Sequence, residues 1–133
     1  MNFLPLALPA ALACPFISPA FAEEAETSPH YAIAEEIVEV LSRTELLLNA
    51  CRDEASVESA VPRLRELARQ MGNVVERQNR LPEPTVEDTR QVNALADEFH
   101  ALSRSIQDHV RRLSREGLYS DALAEVLRIR VAE

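Results

Sequence analysis

The sequence predicts an all-α protein, an antiparallel up-down-up-down four-helix bundle with a short fourth helix. Three observations lead there. From Ile33 onward, apolar residues return at positions 37, 40, 41, 47, 48 and 51, with Thr44 the one break, and the same rhythm restarts at Val57. Such spacing lines a single stripe of an α-helix. Turn signals at residues 52–54, 81–84 and 116–117 cut the pattern into four stretches, short connections of the kind that make neighbouring helices antiparallel. The last stretch, from Ser120 to Glu133, is only about half as long as the two before it.

The first 22 residues read as an address and not as part of the fold. They contain no charged side chain, and Ala20-Phe21-Ala22 puts small residues where signal peptidase needs them before a cut at Glu23. Pro5, Pro9, Pro15 and Pro19 interrupt the apolar run, which argues against a spanning helix, since each proline removes a backbone hydrogen bond that lipid cannot replace. The expectation is a signal peptide at 1–22, a single bundle domain at 23–133, a periplasmic or secreted location, and no stable membrane insertion after processing.

After the acidic lead-in at 23–29, the first helix should start near Ser28 or His30 and end near Cys51. Its inward residues are Ile33, Ile37, Val40, Leu41, Leu47, Leu48 and Cys51, with Glu39 and Arg43 an i,i+4 pair on the outer side. Asp53 or Ser56 caps the second helix, whose stripe runs through Val57, Ala60, Val61, Leu64, Leu67, Ala68, Met71, Val74, Val75 and Leu81. Pro62 lies inside it, so a kink or a detached first turn is expected. Thr85-Val86-Glu87-Asp88 reads as a capping box for a long third helix from about Val86 to Glu116. Val92, Leu95, Ala96, Phe99, Leu102, Ser103, Ile106, Val110 and Leu113 face inward there, and arginines crowd its carboxyl end, where the helix dipole favours cations. Gly117 suits the position just past that end, and Ser120 caps the fourth helix, which offers Leu123, Val126, Leu127 and Val131 for burial.

The order helix, short turn, helix, Pro loop, long helix, Glu-Gly turn, helix resembles the cytochrome b562-like family of periplasmic four-helix bundles. Residues 53–60 and the stretch from Ile106 to Gly117 carry the likeness. The resemblance implies fold and compartment. Family members hold haem iron through a Met near the start of the first helix and a His near the end of the last. Here the first helix has no methionine, Met71 lies on the second, and His30, His100 and His109 lie elsewhere. No ligand position carries over, and the absence of a Cys-x-x-Cys-His motif excludes a covalent c-type site.

The chain has 22 acidic groups, 14 arginines and no lysine, for a net charge of −8. Residues 23–58 carry ten acids against Arg43 and Arg52, whereas 59–133 carry twelve of each sign. That is a poor footprint for nucleic acid or an anionic membrane. With Cys14 in the leader, only Cys51 remains in the mature chain, so it has no internal disulfide, and its place on the apolar stripe marks it as a buried structural thiol.

Candidate chemistry is sparse. Asp97 and His100 lie one helical turn apart, as in metal-holding bundles, but a di-iron site needs two such motifs and further glutamates. Asp108 and His109 are adjacent, so their side chains diverge. Ser103 lies inward without a glycine-rich loop to form an oxyanion hole. The sequence therefore assigns no catalytic, cofactor-binding or metal residues. It points to a non-enzymatic bundle acting through protein–protein binding or self-association, its short fourth helix completed by a partner or a second copy. The alternative is a metal or small-cofactor carrier using Asp97, His100 and His109.

Overall fold

The structure, a computed structural model, describes residues 27–128. Among these the fold is all-α, with helices α1 (Pro29–Asn49), α2 (Glu54–Asn79), α3 (Val86–Asn93), α4 (Ala96–Arg115) and α5 (Asp121–Leu127) and no strand. The expected signal peptide and its cleavage point lie outside the described residues, as do Val131 and the expected end of the fourth helix.

Local chemistry sets most of the boundaries. Ser28 caps α1 by accepting from the Tyr31 backbone N–H at 3.1 Å, and Pro29 takes a first-turn position where its missing donor costs nothing. Asp53 and Ser56 cap α2 reciprocally, and Thr85 and Asp88 do the same for α3. Past α4, Gly117 adopts φ +73° while Leu118 N–H bonds back to Leu113 O at 2.8 Å and Gly117 N–H to Ser114 O at 3.1 Å. Those two bonds form a Schellman closure, which needs a residue that tolerates left-handed backbone. Ser120 caps α5 through Leu123 N–H.

Two expectations about continuity change. The long third helix is two pieces, because Ala94 N–H bonds to Gln91 O at 3.1 Å and Leu95 N–H to Val92 O at 2.9 Å, three residues back and not four. Both residues keep right-handed helical backbone, so the chain tightens by a turn without unwinding. No proline or glycine marks the place, so nothing in the local sequence announced it. Of the kink or detached first turn expected at Pro62, the detached turn is absent, since α2 runs unbroken through the proline. Pro62 is exposed, which leaves water free to meet the carbonyl that its missing N–H abandons.

Side-chain pairs give the helix directions. Arg77 near the end of α2 forks onto Glu36 in the first half of α1, so these two helices are antiparallel. Ser105, His109 and Arg112 of α4 meet Glu45, Leu48 and Cys51 in ascending order, so α4 runs parallel to α1. α1 is the hub, packing against α2, α3 and α4, while α5 lies along α2. The core gathers Val40, Leu48, Cys51, Val57, Leu64, Ile106, Val110, Leu113 and Leu123, mostly positions that the periodicity placed inward. Thr44, the break in the stripe, is buried with it; its hydroxyl donates to Val40 O at 2.8 Å, the local bond that lets threonine enter an apolar interface.

Candidate docking cleft

Leu123 is fully buried, so the start of α5 seals its end of the core. The described helix stops at Leu127, and Arg128 follows in left-handed backbone with φ 57°. A cleft of about 460 Å³ opens among the helices beside this end of α5. Residues 40, 41 and 44 of α1, the α2 face from Leu64 to Val75, Ile106 of α4 and residues 126–128 line it.

The cleft also explains where the predicted core thins out. Val75 and Phe99 were both placed inward by periodicity, yet each is 39 % exposed, and Ala68 is exposed as well. Phe99 continues the α4 stripe of Ile106, Val110 and Leu113, two turns before Ile106 on that helix. Met71, read as core, is half-buried at the cleft wall. Gly72 faces open space: a Cβ built there meets no atom within 4 Å.

The candidate polar residues scatter. Asp97 and His100 are both exposed, and the His100 ring makes an edge-on contact with Phe99 at 5.7 Å. Asp108 turns outward to Arg111 at 2.8 Å, away from His109, the divergence expected of adjacent helical residues. Ser103 is half-buried on the α4 stripe that carries Ile106 and Val110. Among the described residues no group of three or more His, Cys, Asp or Glu side chains converges to hold a metal ion. Cys51 is fully buried, and burial pushes its thiol above the usual range, with the Arg112 guanidinium pulling weakly the other way.

His109 has a partner that the sequence did not reveal. Its Nε2 lies 3.0 Å from Glu45 Oε2, and the same oxygen accepts from Ser105 Oγ at 2.9 Å. The His109 bond, then the Ser105 bond, hold the Glu45 carboxyl below the usual range against the opposing effect of burial. Serine, histidine and carboxylate meet here, but serine bonds to the carboxylate and not to the imidazole, so nothing prepares the hydroxyl as a nucleophile. The cluster fastens α4 to α1. Arg112 continues the fastening by donating to Leu48 O at 3.0 Å and Cys51 O at 3.1 Å, carbonyls at the end of α1. At the other end of α1, His30 Nε2 lies 2.9 Å from Pro82 O and Nδ1 lies 3.2 Å from Asp88 Oδ2. A carbonyl only accepts, so Nε2 carries a proton and Nδ1 faces the carboxylate of the α3 capping box. The only sequence hint of Glu45 was its place beside the apolar stripe, between Leu41 and Leu48.

Among known proteins, no family model, no curated protein and no solved structure matches this chain.

Proposed function

We propose that the protein is a non-enzymatic periplasmic or secreted binding protein that takes another polypeptide, or a second copy of itself, into the unfilled corner of its bundle. In this reading the mature chain is an up-down-up-down four-helix bundle with a short fourth helix, akin to the cytochrome b562-like family but without its haem ligands. The observation that carries the reading is the apolar cleft among α1, α2, α4 and the end of α5, where Val75 lies exposed on a stripe that elsewhere forms core. Leaving such surface open to water costs about 25 cal/mol per Å², and a partner recovers that free energy. The polar clusters hold helices together and bring no reactive pair to the cleft, which favours binding over chemistry. Nucleic acid is a poor partner for a chain of net charge −8.

The metal-carrier alternative draws less support, since Asp97 and His100 are exposed while His109 faces Glu45 across the α1–α4 interface. Light scattering on the processed protein, alone and with envelope extract, tests the proposal. A dimer or complex that disappears in Gly72→Trp is expected. A strict monomer that captures nothing would sink it.

A further inference from the structure

We infer that a proton on His30 latches α3 and the proline loop to the start of α1, and that loss of this proton lets α3 undock from the bundle. The latch is separate from the cleft and from the partner proposed for it.

The His30 ring lies between two acceptors. Nε2 is 2.9 Å from Pro82 O, in the loop before α3, and Nδ1 is 3.2 Å from Asp88 Oδ2, in the first turn of α3. Neither a carbonyl nor a carboxylate oxygen can donate. With its proton on Nε2 alone, a neutral ring turns the Nδ1 lone pair on the carboxylate. With the proton on Nδ1 alone, the Nε2 lone pair meets the carbonyl. Water does not relieve the first conflict, since Nδ1 is buried and has no aligned hydrogen bond. Only the imidazolium, protonated at both nitrogens, suits both neighbours.

The surrounding charges leave Asp88 as the partner. Its carboxyl is held below the usual range, chiefly by the bond from the Thr85 N–H, so it stays ionised wherever histidine titrates. The dipole of α1 opposes a cation in that helix's first turn, so the carboxylate and not the helix holds the proton. Other charges near the latch are engaged elsewhere or exposed. Arg80 pairs with Glu76, Arg90 with Glu87, and Glu83 of the loop is exposed. From α2, Arg77 pairs with Glu36 of α1, and from α4, His109 meets Glu45 much further along α1.

α3 depends on this contact because it has little else. It contains no fully buried residue, and its inner side is Asp88, Gln91 and Val92, each half-buried. Gln91 Oε1 accepts from the Ser28 backbone N–H at 3.3 Å, so both polar groups of that side meet the first residues of α1. At the far end, Ala94 and Leu95 are closed by bonds three residues back, a tightening of the kind that marks hinges. Loss of the His30 proton turns the Asp88 contact from attraction to repulsion of a lone pair, and α3 pivots at that junction. The sign follows: docking is strongest while His30 and Asp88 are both charged, and weakens as pH rises between about 5 and 8.

NMR of the full chain tests this. At about pH 5 the 15N signals of the His30 ring should show both nitrogens protonated. Exchange of the α3 amides, corrected for the base-catalysed chemical rate, should be about tenfold faster at pH 8 than at pH 5, with no such change in α2. In His30→Gln the α3 amides should exchange equally fast at both pH values. Asp88→Asn keeps an oxygen for the Thr85 N–H but removes the charge, and should cut the pH effect to under about twofold. His100→Gln and His109→Gln remove the other two histidines and should leave the effect intact. A His30 ring with a bare nitrogen at pH 5, α3 exchange indifferent to pH, or a pH effect that survives in both His30→Gln and Asp88→Asn overturns the inference. An effect that vanishes in His109→Gln assigns it to the Glu45 contact and overturns the inference as well.

Discussion

Glu45 shows how one side chain ties two helices whose pairing no local pattern encodes. Its carboxyl is held below the usual range by the bonds from His109 and Ser105. A depressed carboxyl contributes stability that is present above the unfolded value, about 4.3, and lost as pH falls through the folded value. Urea melts of the native protein should therefore lose stability below about pH 4.3 faster than those of Glu45→Gln, while near neutral pH the variant should be about 1 kcal/mol less stable. Arg112 makes a sharper case. Arg112→Ala strips partners from the Leu48 and Cys51 carbonyls and should cost about 2 kcal/mol by urea denaturation. Lysine at 112 should not restore the loss, because its point charge cannot reproduce a fork that reaches two carbonyls at once.

At the scale of the element, the same substitution should act with opposite sign at the two described glycines. Gly117 closes α4 with φ +73°, so Gly117→Ala forces left-handed backbone on a residue with a Cβ and should destabilise by about 1 kcal/mol. Gly72 lies inside α2 with nothing near a built Cβ, so Gly72→Ala should stabilise by up to about 1 kcal/mol. Thermal melts of the pair check both signs. Helix starts were legible because capping is local: Asp53, Thr85 and Ser120 each satisfy donors within three residues. The Glu39–Arg43 pair was legible for the same reason, at 2.8 Å one turn apart. The break at residues 94–95 was not, since it is carried by backbone bonds among residues with no turn chemistry of their own.

For the molecule as a whole, burial separates side chains that hold the fold from those that face its open corner. Leu113 is fully buried and Phe99 is 39 % exposed, although both lie on one stripe of α4. Leu113→Ala should cost about 3 kcal/mol through lost transfer energy and the cavity left behind. Phe99→Ala should cost less than Leu113→Ala, because Phe99 is already partly in water and its removal leaves no enclosed cavity. Equilibrium denaturation of both variants tests the contrast. Comparable losses would mean that the α4 stripe is covered along its whole length.

By itself the sequence determined that the chain is helical, where most helices begin, and which residues fill most of the core, because periodicity and caps act over a turn or two. Only the tertiary structure decided that α1 is the hub with α4 parallel against it, that Glu45 joins His109 and Ser105, and that Val75 lines an open cleft. Those features depend on which helices lie side by side, and residues some 60 positions apart carry no shared local signal of their meeting.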